Sequence, residues 1–251
     1  MKILKNTFHK YSLLSLPIKL FSLLISSVIV VLLSAYFLDH KFGGDLFILS
    51  EQTTTFSALL SPKLDGGYFE FFQYILLIWC SILSAVWVIG KKYYEIIYIP
   101  FIYFYLFIDD ALCIHDKIAG YYIFNFFKEN NLFNNDFVRV KDFAEWTYWA
   151  IVLIVILIIA KPRFQNKNVE IQNYIRCNFS LFLGMAFFAL IIDLIAANFH
   201  SWILIEQVYI KNFITIILML TEEVGEIGVI SVACVWLFSK NFSTGINKFN
   251  S

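Results

Sequence analysis

Long runs of apolar residues, with few polar interruptions, dominate the chain from end to end. A helix needs about 20 apolar residues to cross the hydrocarbon core of a bilayer. The pattern therefore predicts an all-α, polytopic transmembrane helix bundle that forms one integral membrane domain over residues 1–251. The predicted spans lie near 20–38, 70–89, 93–116, 146–160, 178–199 and 212–238.

The first apolar run is predicted to be a retained anchor, because it is longer than the core of a signal peptide. Two sizeable outer loops are expected, over 39–69 and 117–145. The second loop is rich in aromatic residues. It is expected either to contain an interfacial helix on the outer leaflet or to pack over the bundle.

Composition agrees with the membrane assignment, since 60% of residues are hydrophobic and only 15% are charged. The net charge is zero, and no basic patch suggests nucleic-acid binding. Twelve of the 19 basic residues fall in segments that would be cytoplasmic if the N-terminus is inside. The positive-inside rule then places both termini in the cytoplasm. The four cysteines are scattered singly, which argues against a disulfide framework or a thiolate zinc site.

Several carboxylates fall inside the predicted spans, where no Lys or Arg accompanies them. An ionised side chain at the bilayer centre costs roughly 3 kcal/mol, so such groups need protons, cations or buried partners. A bound cation is the expected partner. The acids are Asp109, Asp110, Asp193, Glu222, Glu223 and Glu226.

Helical spacing groups these acids with histidines. Asp109 and Asp116 are seven residues apart and are predicted to share one face of the third span, flanked by Asp110 and His115. The fifth span repeats the spacing with Asp193 and His200. Small alanines at 196 and 197 indicate that this face points into the bundle.

The last span gathers Glu222, Glu223 and Glu226 within about 100° of arc. Gly225 and Gly228 on the same segment predict close approach of a neighbouring helix. Because the third and fifth spans run outward and the sixth runs inward, all these groups can converge in the outer half of the membrane. Glu145, at the mouth of the fourth span, can cover the site, although a solvated position is equally compatible with Asp116, Glu145 and His200.

Carboxylates with one or two imidazoles suit a divalent Zn, Mn or Fe ion. Glu223 is the expected proton carrier. The candidate ligands are Asp109, Asp110, His115, Asp116, Asp193, His200, Glu222 and Glu226.

The motif Asp-Asp-x-x-x-x-His-Asp at 109–116, with Glu-Glu-x-x-Glu at 222–226, resembles a group of bacterial multi-pass membrane proteins that has no assigned activity. Members of that group have Asp-Glu at 109–110 and His-Glu at 115–116. The resemblance implies a multi-pass protein of the bacterial inner membrane. A weaker resemblance is to membrane hydrolases of the alkaline ceramidase type, whose three-histidine zinc site this chain does not reproduce.

These observations favour a metal-dependent membrane hydrolase that acts on a lipid or lipid-linked substrate. A proton- or cation-coupled transporter is the alternative, and the scarcity of polar residues in the inner halves of the spans argues against it. A third possibility is a non-catalytic membrane subunit whose acids bind a partner's helix.

Overall fold

The computed structural model describes residues 16–41, 67–129, 140–163, 168–192, 194–195 and 208–249. Those residues are almost entirely helical and include no strand, which confirms the all-α prediction. The α-helices are α1 (Leu16–Lys41), α2 (Tyr68–Lys91), α3 (Tyr98–Leu112), α4 (Ile114–Lys117), α5 (Phe124–Glu129), α6 (Val140–Ala160), α7 (Val169–Ala186) and α8 (Val208–Phe249). Short 3-10 turns lie at Tyr94–Ile96 and Lys161–Arg163, and π-helical segments lie at Ile118–Ile123 and Phe187–Ile192.

Four described helical segments are long and apolar enough to cross a membrane, namely Leu16–Phe37, Tyr68–Lys91, Phe143–Ala160 and Val169–Ile192. A fifth span results if the helical halves Tyr94–Leu112 and Ile114–Glu129, bent by 64° relative to each other, are taken together. The predicted sixth span, 212–238, lies within α8, where three glutamates interrupt the apolar stretch. The chain is an integral membrane protein built as a helical bundle.

The centre of the bundle is the contact of α8 with α2, and α3 packs against α2 as well. On α8 the buried residues Ile227, Ile230, Cys234 and Leu237 recur every three or four positions and so form one stripe. Leu76 and Cys80 on α2 belong to the same core. Because lipid tails are as apolar as these side chains, such an interface is stabilised by van der Waals packing.

Buried polar side chains are also present deeper in the bundle. Tyr103 donates a hydrogen bond to Asn178 Oδ1 at 2.9 Å, and the hydroxyls of Ser84 and Tyr174 lie 2.7 Å apart. Pairing of this kind is what a polar group away from water requires. Buried polar side chains are therefore present on α2, α3 and α7 in or near the predicted inner halves of the spans, where few were expected.

The two glycines of α8 differ in their surroundings. A Cβ atom at Gly225 would lie 2.2 Å from Cδ1 of Phe188, so the predicted close packing is confirmed there. At Gly228 no described atom lies within 4 Å of such a Cβ, so close packing is not found at that position. Gly225 lies between Glu222 and Glu226, and its missing side chain lets Phe188 pack against this part of α8.

Within the predicted outer loop 117–145, the chain is helical up to Glu129 and again from Val140. Ala119 and Phe127 from the first of these segments pack against Ala144 and Tyr148 of α6. This contact brings α6 beside the C-terminal end of α3. Most of the other predicted loop, 42–66, lies outside the described residues.

Candidate metal centre

A sharp bend shapes the centre. Helix α3 ends at Leu112, and Cys113 takes the left-handed conformation, with φ 48° and ψ 47°, before α4 begins. The prediction of one continuous helix over 93–116 is therefore wrong, and Asp109 and Asp116 do not share a helix face. In a straight helix Asp109 and His115 would point about 120° apart at 3.6 residues per turn. The bend is what brings them together.

Asp109 is fully buried, with 0% of its surface exposed, and has hydrogen bonds on both carboxylate oxygens. Tyr148 of α6 donates to Oδ1 at 2.6 Å, and the Tyr105 hydroxyl lies 3.4 Å from the same oxygen. The two tyrosine hydroxyls are themselves in hydrogen-bond contact. His115 Nδ1 lies 2.7 Å from Oδ2.

Gln73 of α2 links Asp110 to Glu226. Its Nε2 group donates to Asp110 Oδ2 at 3.1 Å and to Glu226 Oε2 at 2.9 Å. One amide therefore joins α2, α3 and α8. Beside it, the Tyr74 hydroxyl donates to Glu70 at 2.7 Å and lies 3.5 Å from the Asp110 carbonyl oxygen.

Asp109, Asp110 and His115 form the candidate metal cluster, because each offers a ligand atom within 4.8 Å of the others. Two carboxylates and an imidazole match the preferences of divalent Zn, Mn or Fe. The cluster lies at the junction of α3 and α4, beside the N-terminal end of α2.

The cluster continues toward the exposed end of the bundle. His115 Nε2 lies 3.7 Å from Asp116 Oδ2, and the imidazole lies against the Trp149 ring at 5.8 Å. Lys141 Nζ lies 3.5 Å from Asp116 and 3.3 Å from Glu145. Although partial burial opposes it, the carboxylates of Glu145 and Asp116 raise the pKa of Lys141 above its ordinary value. Lys141 thus pairs with both acids and offsets part of their charge.

Among the described residues, the remaining candidate ligands do not belong to the cluster of Asp109, Asp110 and His115. Glu222 and Glu223 lie half-buried on α8, one turn before Glu226. Glu223 continues the stripe that runs through Ile227 and Ile230, and so faces the bundle. Asp193 and His200 lie outside the described residues.

Sequence reasoning missed the neutral partners of the acids. Gln73, Tyr105 and Tyr148 carry no charge, and aromatic residues are common throughout this chain. A signal was present for two of them. Gln73 follows Glu70 by three positions in an otherwise apolar span, and Tyr105 precedes Asp109 by four, so each pair shares a helix face. Nothing local to Tyr148 indicates its contact with Asp109.

No protein-family model, curated protein or solved structure matches this chain.

Proposed function

We propose that this protein is a metal-dependent membrane hydrolase that acts on a lipid or lipid-linked substrate. The observation that carries the proposal is the approach of Asp109, Asp110 and His115 to within 4.8 Å at the end of a membrane helix. A divalent ion bound within this cluster would lower the pKa of a coordinated water towards about 7 and would polarise the bond to be cleaved.

The surroundings of the cluster support a substrate at the membrane surface. Next to His115, the carboxylate of Asp116 and the ammonium group of Lys141 are substantially exposed. The π-helical segment Ile118–Ile123 follows α4 directly, and its Tyr121 and Tyr122 expose 66% and 68% of their surfaces. Tyrosine is favoured at the level of lipid headgroups. A scissile bond near a headgroup would reach the cluster from this side, with Glu223 or Glu226 available to carry a proton.

Metal content tests the proposal first. Detergent-purified native protein is expected to contain one or two Zn, Mn or Fe ions per chain by elemental analysis. The double variant Asp110→Asn, His115→Ala should lose them. Glu170→Gln is the matched control, since Glu170 pairs with Lys91 at the other end of α2 and has no contact with the cluster. Added metal at about a hundred times its Kd should stabilise the native protein by roughly 2.7 kcal/mol.

Activity is tested by incubating the protein with mixed lipid vesicles and following the lipids by mass spectrometry. Water-dependent cleavage that is lost in the double variant and with a chelator supports the hydrolase. A native protein that carries no metal and gains no thermal stability from Mn, Fe or Zn contradicts it, and favours a non-catalytic membrane subunit.

A transporter is the second candidate, favoured by the buried hydrogen-bonded pairs Tyr103 with Asn178 and Ser84 with Tyr174. They place polar groups along the bundle beyond the cluster. Reconstitution into liposomes with a pH-sensitive dye distinguishes the two functions. Proton flux in metal-free protein, abolished by Asp110→Asn and Glu223→Gln, would replace the hydrolase with a transporter.

A further inference from the structure

We propose that Asp109 is a positioning residue, which orients the imidazole of His115 so that Nε2 faces the substrate side, and is not itself a ligand of the metal. This inference rests on the proposed metal centre. It removes Asp109 from the ligands predicted from the sequence. His115 Nε2 is then the imidazole atom that binds the metal.

Distances separate the two roles. Two atoms bound to one metal at about 2.1 Å each lie about 3.0 to 3.4 Å apart for bond angles between square and tetrahedral. Asp109 Oδ2 and His115 Nδ1 are 2.7 Å apart, which fits a direct charge-assisted hydrogen bond and leaves no room for a shared ion. By contrast, His115 Nε2 and Asp116 Oδ2 are 3.7 Å apart. That is too long for a hydrogen bond and about 0.3 Å longer than the upper limit for two atoms that share an ion, so a small side-chain movement would allow both to bind one.

The other oxygen of Asp109 is engaged as well. Oδ1 accepts from Tyr148 at 2.6 Å and is approached by Tyr105 at 3.4 Å. The whole side chain is buried. A carboxylate fixed in this way by α3 and α6 residues cannot turn toward an ion, but it can hold an imidazole in one orientation. Metal-binding histidines commonly donate their second N–H to such a carboxylate.

The hydrogen bond also selects the tautomer. An ionised carboxylate only accepts, so Nδ1 carries the proton and Nε2 keeps its lone pair. That lone pair can bind a metal ion or accept a proton from water. The contact at Nδ1 therefore decides the chemistry at Nε2.

The tyrosines make the effect of Asp109→Asn specific. Tyr148 donates to the Oδ1 position, so the amide oxygen of Asn would take that place and the amide NH₂ would face His115 Nδ1. An NH₂ group only donates, which forces the proton of His115 onto Nε2. In the double variant Asp109→Asn, Tyr148→Phe that constraint is weakened, and a mixture of tautomers is expected.

The decisive measurement is ¹⁵N NMR of histidine-labelled, metal-free protein, at a pH that keeps the imidazole neutral. The His115 signals are assigned by their loss in His115→Gln. Native protein and Tyr148→Phe should show Nδ1–H, and Asp109→Asn should show Nε2–H. An Nε2–H tautomer in native protein, or an unchanged tautomer in folded Asp109→Asn, overturns the proposal. If Asp109→Asn does not fold, the native and Tyr148→Phe spectra still decide.

Zinc titration supplies the second readout. Asp109→Asn should retain the native stoichiometry and bind about 10- to 100-fold more weakly, the usual effect of losing an orienting partner. His115→Ala should lose the site. Complete loss of zinc from Asp109→Asn, with native-like circular dichroism, would make Asp109 a ligand and contradict the proposal. If the native protein binds no metal, the proposed function fails, while the tautomer measurement still tests the role of Asp109.

Discussion

Asp109 shows how an acid is accommodated inside this membrane protein. A charged side chain at the bilayer centre costs roughly 2.5–3.5 kcal/mol. Each hydrogen bond to a charged group contributes about 1.5–3 kcal/mol. The bonds from Tyr148 and His115 are therefore sufficient to offset the cost for Asp109 without a cation. Asp110 differs, because the Gln73 amide that it accepts from is shared with Glu226, and Asp110 is therefore our proposed carboxylate ligand.

Replacing Gln73 with Leu should destabilise the protein by about 1–3 kcal/mol, because two partly buried carboxylates lose the donor that they share. Thermal unfolding in detergent measures the loss. Ser81→Ala is the matched control on α2, since Ser81 makes one bond to a neutral carbonyl, that of Pro100. An equal or larger effect of Ser81→Ala would show that the bridge contributes little.

Gln73→Glu keeps the shape of the side chain and replaces the donor with a third carboxylate. Between about pH 8 and pH 5 its stability deficit relative to native protein should shrink, because proton uptake removes the repulsion and restores an O–H donor. The same melting experiment, repeated across that range, measures the change. A deficit that does not depend on pH would place the three side chains farther apart than the structure does.

At the scale of elements, the bend after α3 brings the cluster together. Cys113 holds a left-handed conformation that costs an L-residue roughly 1–2 kcal/mol and that β-branched residues adopt only with strain. Contacts of the following segment with α6 maintain it. Packing between distant segments thus offsets the strain at Cys113, and the residues around Cys113 do not by themselves predict the bend.

Cys113→Gly should keep the bend with little change in stability, since glycine adopts positive φ without steric cost. Cys113→Val should be destabilised by about 1–3 kcal/mol and should bind metal more weakly, because straightening would turn His115 away from Asp109. Thermal melts and zinc titrations of both variants test this. Equal metal binding by the two would show that the bend is not needed for the cluster.

The glycines of α8 provide a matched pair. Gly225→Ala should cost about 1–3 kcal/mol, since its Cβ would lie 2.2 Å from the Phe188 ring, which has to move. Gly228→Ala should be neutral or stabilise by up to about 1 kcal/mol through helix propensity, because nothing described lies within 4 Å. Melting temperatures in detergent decide. A larger loss of stability in Gly228→Ala than in Gly225→Ala would contradict the packing of Phe188 on α8.

At the scale of the whole molecule, orientation in the membrane is a prediction from the distribution of basic residues. An impermeant thiol reagent should label a cysteine placed at Asn131 in intact cells, but not one placed at Asn166. The exposed native Cys177 is first replaced by Ser. Labelling only of the cysteine at Asn166 would show the opposite topology, with the cluster on the cytoplasmic side.

The sequence by itself determined where the long apolar helices lie, apart from the break at Cys113, and which residues are neighbours within each helix. Backbone hydrogen bonds in a membrane helix are closed within the segment, so an apolar run of sufficient length specifies it locally. The same holds for Asp109 beside Asp110 and for the spacing of Glu222 and Glu226. These features required no knowledge of how the helices pack.

Only the tertiary structure decided which of these acids meet. Gln73 and Glu226 are 153 positions apart, and Tyr148 reaches Asp109 from α6, whose own residue pattern does not indicate this contact. In lipid every face of a helix can be apolar, so hydrophobic periodicity does not reveal which face contacts which neighbour. The rotation of each helix and the bend at Cys113 follow from side-chain packing between segments distant in the chain. That packing brings His115 against Asp109.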